Sequence, residues 1–501
     1  MANSIRSLIL FLLFLSMPAA AVSGFDFSEI EKSVVDHTLD NGLKLIIVER
    51  HEAPVVSFFT WANVGSADDP KEYTGLAHMF EHMAFKGTTT LGSKNIEEEL
   101  KLIAVEDSLF MLLRAERLKR SLADSALLVE LETAYNDARE ASFALVEPNE
   151  FTQTIEREGC VGLNAFTSND QTAYMMSLPS NRVELWMALE SERFLNPVLR
   201  EMYKERDVIA EERRMRVESS PFGKVLAEEL PALAFKAHPY GICGVGHMSD
   251  INNYSRQEAE AFFEKFYGPG NLVLSIVGDV NAKDVIKMAE QYFGRIPARP
   301  NPLPIATVEP PQLGERRMVM EDPSQPLYVV GWHIPEITHP DRNAIGLLLQ
   351  HLAQGRTSML YKSMVKEKKV AMMVDAAPGW PGDKYPTLAV VYTMPAQGHD
   401  NLECEAEIFA SVDALKETLV TEADLEKMRA QAKSSFINGL VSNSGMGMQL
   451  AAMQQYYGDW RELFTELDRI NAVTAEDIKR VANEYFTTTN RNVVMLNSTS
   501  N

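Results

Sequence analysis

The chain has 501 residues, 46% hydrophobic and 24% charged, an ordinary globular composition with material for two or more domains. A net charge of −22 argues against nucleic acid and anionic membrane surfaces as partners. Cys160, Cys243 and Cys404 are too few and too widely spaced for a disulfide framework or a Cys-x-x-Cys metal pair, and read as buried thiols, with a single disulfide as the alternative.

At the N-terminus, Arg6 precedes an apolar run over 8–15 and the small residues Ala19, Ala20 and Ala21. This pattern predicts a signal peptide over 1–21, too short to span a bilayer, with an uncleaved anchor as the alternative. The mature protein is expected to be exported, periplasmic or extracellular, and no other apolar run is long enough for a membrane span. Residues 38–48 carry Asn41-Gly42 between apolar runs, a hairpin signal. A second β-rich run covers 55–64.

These strands lead into residues 75–88, where His78, Glu81 and His82 stand at i, i+3 and i+4. On a helix all three project to one side. Two imidazoles so placed can hold a zinc ion, and the carboxylate can serve as a general base beside it. The order His-x-x-Glu-His is the inverted zinc-peptidase motif. Gly75 and Gly87 bracket it, leaving room for about three helical turns.

Residues 95–148 are acidic and rich in leucine. Leu102, Val105, Leu109 and Leu112 recur at helical spacing, as do Leu128, Leu131, Tyr135 and Ala138. An antiparallel helical hairpin turning near 121–125 is predicted, packed on its own domain; a projecting arm that contacts a partner is the alternative. Short strands follow over 162–168 and 171–176 around Asn169-Asp170, then a helix over 183–194.

Zinc bound by two imidazoles needs a third protein ligand. In 201–215, Glu205, Val208, Glu212 and Met215 form one helical stripe, expected to face the core. A carboxylate there is costly unless it binds a metal or pairs, which favours Glu212 over Glu211. Glu205, two turns away, is expected to orient a histidine rather than bind the metal.

On residues 75–88, 164–168 with Thr172 and Tyr174, 205–209 with Glu212, and His238-Pro239-Tyr240-Gly241, the chain resembles the inverzincin metallopeptidases of the insulinase and pitrilysin family. Its mitochondrial-processing-peptidase-like branch is the nearest likeness. The resemblance implies one zinc ion per chain on His78, His82 and Glu212, with Glu81 as general base and Glu205 as a supporting acid. It also implies that Asn164, Ala165 and Phe166 lie on an edge strand where a peptide substrate adds as a further strand. The family has fewer residues between His82 and its third ligand. The excess matches the helical hairpin, which is therefore read as an insertion.

A duplication is legible in the sequence. Ser255 opens a helix through Phe262, Phe263, Phe266 and Tyr267 to Asn271 and a strand over 272–277. Thr474 opens its counterpart through Tyr485 and Phe486 to Asn490 and a strand over 493–496. Prolines over 297–311 make an extended linker. The expected domains are a zinc-bearing one over 22–298, a linker over 299–314, and a homologous one over 315–501 without a metal motif. The fold class is α+β, two α/β-roll-type halves enclosing a chamber.

In the second half His351 sits on an apolar helix and reads as packed. The family likeness places an Arg and a Tyr, seven residues apart, against substrate; here Val365 and Met372 hold those places and cannot hydrogen-bond a peptide. The expected partners are peptide substrates and a second subunit, as homodimer or as heterodimer with a homologue supplying the missing contacts. The expected activity is zinc-dependent endopeptidase hydrolysis of short unfolded peptides. The alternative is a non-catalytic assembly or peptide-capturing subunit of the same family.

Overall fold

The structure is a computed structural model and describes residues 27–499; the expected signal peptide lies outside the described residues. Asn41 and Gly42 turn the chain as the sequence predicts. Strand β1 (Val34–Thr38) pairs antiparallel with β2 (Lys44–Glu49), Thr38 opposite Lys44, and Gly42 takes φ +93°. The next strand, β3 (Val55–Ala62), does not join β2. A strand from far downstream, β6 (Leu272–Gly278), lies between them, parallel to β2 and antiparallel to β3. All seven residues of β6 are buried, as befits a strand covered on both faces. The sheet continues through β5 (Thr172–Pro179) and ends at β4 (Val161–Thr167), giving the order β1-β2-β6-β3-β5-β4.

The second sheet contains β7 (Arg316–Asp322), β8 (Leu327–Ile334), β9 (Ala371–Trp380), β10 (Thr387–Pro395) and β11 (Arg491–Ser498), in the order β7-β11-β8-β10-β9. Without β1, the first sheet repeats this order and these directions: one parallel pair, then antiparallel neighbours. The duplication extends to single side chains. Asn271 donates through Nδ2 to the carbonyls of Phe266 and Asn63, and Asn490 donates to those of Tyr485 and His333. Each asparagine ties the end of its preceding helix to a neighbouring strand.

One face of each sheet is covered by helices of its own half. The other face is covered by the opposite half. Helix Asn443–Tyr457 and its flanks set Leu440, Met446, Leu450, Trp460 and Leu463 against Ile46, Val48, Trp61, Val273 and Val277 of the first sheet. Conversely, Val225, Leu230, Ala234 and Tyr240 of the first half cover Leu327, Val329, Leu388, Val390 and Val494.

Helices Ile96–Arg117 and Ser125–Phe143 form the hairpin, and it is docked on the first half. Phe110, Leu113 and Tyr135 pack against Tyr203, while the buried pairs Glu106–Arg256 and Glu99–Arg200 fasten its base. The apolar stripe read from sequence is corrected here: Val105 and Leu112 are exposed. Glutamates occupy the buried face because arginines of the main body neutralise them. Among the described residues no helix is long and apolar enough to cross a membrane, and the three cysteines are free thiols.

Candidate metal centre and substrate groove

The histidine motif lies on helix Leu76–Met83, two turns rather than the three expected. The chain leaves the helix because the buried guanidinium of Arg200 claims the carbonyls of Lys86, Thr88 and Leu91, bending it into a turn at Gly87, φ +96°. At the other end Gly75 has φ +94°, and a Cβ there would stand 2.6 Å from the Val245 carbonyl oxygen. Only glycine permits that approach, which brings the 243–246 loop beside the helix. The amides of Gly75 and Ala77 donate to the Asp69 carboxylate at 2.7 and 2.8 Å. Burial holds the Asp69 carboxyl well above its usual range despite those two bonds.

Helix Met202–Arg213 crosses this helix and brings Glu205 and Glu212 to it. Glu212 stands 3.5 Å from His78 Nε2 through Oε1 and 3.3 Å from His82 Nε2 through Oε2. Glu205 Oε2 lies 3.3 Å from His82 Nδ1, and its Oε1 accepts from Lys86 Nζ at 2.6 Å. Burial would lower the His82 pKa, but Glu205 and Glu212 outweigh it and carry it to about 9. Glu212 is held well below the usual carboxylate range, by His78 first and then His82. Burial raises the Glu205 carboxyl, but His82 and Lys86 bring it below its ordinary value.

One ligand atom from each of His78, His82 and Glu212 lies within 4.8 Å of the others. Zinc about 2.0–2.1 Å from nitrogen and oxygen in a tetrahedron separates its ligands by about 3.3 Å, so this donor set fits the ion. Arg216 Nη1 also reaches Glu212 Oε1, at 2.6 Å. His78 Nδ1 is buried without a hydrogen-bond partner among the described residues.

Glu212 holds this position for a reason other than the one read from its stripe. Val208 and Met215 are exposed, and the buried side of the helix carries Met202, Arg206, Ile209 and Arg213. Glu212 is half-buried because it faces the histidines, not the core; Glu211 points outward to Arg214.

Glu81 makes no hydrogen bond or ion pair among the described residues and borders two cavities. One, of about 360 Å³, also meets His82, Phe85, Lys86, Leu163 and Glu205. The other, of about 400 Å³, meets His78, Phe166, Thr167 and Asn169, with Trp380 and Pro381 from the second half. Asn164 and Ala165 border both, so the free edge at β4 runs past Glu81 from one cavity to the other. The end of β9 that bears Trp380, and the turn after it, are held down from the first half. Trp380 Nε1 donates to the Leu226 carbonyl at 2.7 Å, and the Asp170 carboxylate accepts from the Tyr240 hydroxyl and the amides of Asp383 and Lys384.

Neither Val365, half-buried against the second core, nor Met372, exposed on β9, lines either cavity. Sequence reading missed Asp69, Lys86, Arg216 and Trp380. Arg216 follows Glu212 by one turn, and the carboxylate–cation spacing was available to reveal it. Nothing local marks Trp380.

The family description "Insulinase (Peptidase family M16)" matches residues 44–111 and 144–243, and "Peptidase M16 inactive domain" matches 253–432. The chain belongs to this family of peptidases. The first match is interrupted over 112–143, within the helical hairpin. Among individual proteins, it is 27% identical over 475 residues to "Zinc protease PqqE" of Helicobacter pylori, covering 92% of this chain and 91% of that protein. A crystal structure of a protease from Helicobacter pylori superposes with a TM-score of 0.76 at 26% identity, over 92% of this chain and 99% of that one. The periplasmic protease PqqL of Escherichia coli shares the fold, with a TM-score of 0.67 at 16% identity over 94% of this chain and 48% of its own.

Proposed function

We propose that this chain is an exported zinc metalloendopeptidase that hydrolyses short, unfolded peptides, with one zinc ion on His78, His82 and Glu212. When bound, the metal supplies Lewis-acid polarisation of the scissile carbonyl and acidifies the attacking water. Glu81 takes the proton from that water and passes it to the leaving amine. Glu205 orients His82 through Nδ1 and is itself held by Lys86. Asn164, Ala165 and Phe166 present the free edge on which the peptide adds as a further strand.

The observation that carries this reading is the position of Glu81, unpaired and exposed to both cavities beside the three ligands. A protein that only stores metal or captures peptide has no use for it. The test is digestion of a mixed pool of unstructured peptides by wild type and Glu81→Gln, with zinc measured in both. Cutting by wild type alone, with zinc in both, supports the peptidase. Zinc in both without cutting by either points to a missing homologous subunit, and if cutting does not appear when that subunit is added, the capturing reading stands instead.

The reading extends to a subunit partner. Val365 and Met372 stand where the family likeness places groups that bind substrate, so a homologous subunit is assigned the missing contacts. Full activity of the purified chain as a monomer removes that extension.

A further inference from the structure

The helical hairpin fastens to its own half through one face of its first helix, and that helix keeps a second, apolar face in solvent. Toward the body, Ile96–Arg117 buries Ile103, Glu106, Phe110, Leu113 and Glu116. On the opposite side Ala104, Ser108 and Ala115 form an exposed midline, edged by the exposed Leu100, Met111 and Leu118 on one flank and Val105 and Leu112 on the other. At 3.6 residues per turn these make one stripe about 27 Å long. Lys101 interrupts it, with its ammonium tied back to Glu98 at 3.0 Å. An ordinary solvated face looks different: the outer side of helix Ser125–Phe143 is set with exposed Glu130, Thr133, Asp137 and Glu140 around Val129. Contiguous apolar surface of this extent marks an interaction site. The family match breaks within this hairpin, over 112–143, so the stripe is an addition to the shared peptidase frame.

Charge at its two ends selects the occupant. The first turn of the helix carries Glu97, Glu98 and Glu99, the last turn Arg114 and Arg117, and Lys119 and Arg120 follow. The side chains of Glu97 and Arg120 have no hydrogen bond or ion pair among the described residues. We infer that two copies of this chain pair through the stripe, antiparallel about a two-fold axis beside Ser108 and Met111. That arrangement sets Leu100 of one copy against Leu118 of the other, Val105 against Leu112 and Ala104 against Ala115, and the small midline lets the helices approach closely. Glu97 then meets Arg120, twice by symmetry, and the helix dipoles run opposed. A parallel pairing would set acid on acid and base on base. One helix seam lies at the small end of dimer interfaces, so a Kd of about 1–10 µM is expected. The net charge of −22 on each copy opposes approach at long range, and salt screens it beyond about 8 Å at physiological ionic strength. Nothing in this pairing depends on the zinc site, so it stands or falls apart from the peptidase reading.

The experiment is sedimentation velocity of the full mature chain over about 1–100 µM at about 0.15 M salt. A dimer that grows with concentration is expected. Leu112→Lys, at an exposed position and verified as folded by circular dichroism, is expected to raise Kd by about tenfold or more. Glu97→Lys and Arg120→Glu are each expected to raise it several-fold, and the double variant to return it to near the wild-type value, because the pair is restored with its signs exchanged. Damage to the fold does not produce such a rescue. A wild type that stays monomeric to about 100 µM, or a dimer indifferent to Leu112→Lys, overturns the pairing. A double variant as weak as the worse single variant overturns it as well. A monomer that binds phosphatidylcholine vesicles, and loses them in Leu112→Lys, gives the stripe to a lipid surface and likewise overturns the pairing.

Discussion

Glu205 offers a quantitative test of how the site is held, because it touches a metal ligand without being one. Glu205→Ala removes the acceptor 3.3 Å from His82 Nδ1 and abandons Lys86 Nζ, now 2.6 Å from the other oxygen and 17% exposed in its side chain. His82 is then free to rotate or change tautomer, and the Lys86 ammonium, left with only the more distant Glu201 carboxylate at 3.7 Å, stands beside the incoming cation. Groups in this position contribute about 10- to 100-fold to metal affinity, or about 1.4–2.7 kcal/mol, the size of one charge-assisted hydrogen bond. Glu205→Gln keeps an acceptor for His82 but loses the charge facing Lys86, so it falls at the lower end of that range. The assay is zinc titration of the apo-protein against a chromophoric chelator, with circular dichroism to verify the fold. A folded Ala variant with wild-type affinity refutes the reasoning, and so does a Gln variant weaker than Ala.

Glu81→Gln is expected to bind zinc normally while kcat falls about 10²–10⁴-fold, measured by steady-state peptide hydrolysis. Glu99→Ala strips the carboxylate from Arg200, whose side chain is 1% exposed, and is expected to destabilise by about 3–5 kcal/mol in urea unfolding. Burial pushes both His238 and His333 down to about 4, against about 6.5 for an unfolded histidine. Below pH of about 6.5 the unfolded chain takes up protons at these two positions that the folded chain refuses, so their contribution to stability declines toward about pH 4 and is flat above neutrality. Urea midpoints across that window test this, and His238→Asn is expected to flatten part of the slope.

Local patterns carried the sequence reading where chemistry is local. His78, Glu81 and His82 share one helical face whatever surrounds them, and capping at Ser255 and Thr474 gave two helix starts with capping boxes. Apolar periodicity failed where buried faces are charged. Glu99 and Glu106 on the hairpin, and Arg206 and Arg213 on the ligand helix, are buried among opposite charges or aromatic rings, which leaves Val105, Leu112, Val208 and Met215 outside. Glu212 rather than Glu211 faces the histidines, but not because its stripe faces the core. Placement of β6 between β2 and β3, and of Trp380 over the cavity, depends on partners distant in sequence, which no short window contains.

The exchange of covering helices between the halves constrains how a substrate gets in. Leu440, Met446, Leu450, Trp460 and Leu463 lie buried on the sheet of the other half. At about 1.5–3 kcal/mol for each large apolar side chain, parting that contact costs as much as unfolding an average domain. The halves are clasped and cannot swing apart like jaws. On the function proposed above, a polypeptide would instead thread in along the open edge of β4, as a loose chain end or a slack loop does and a folded domain does not. Under that proposal, selection for unstructured substrates would be a matter of access, decided before any side chain is recognised.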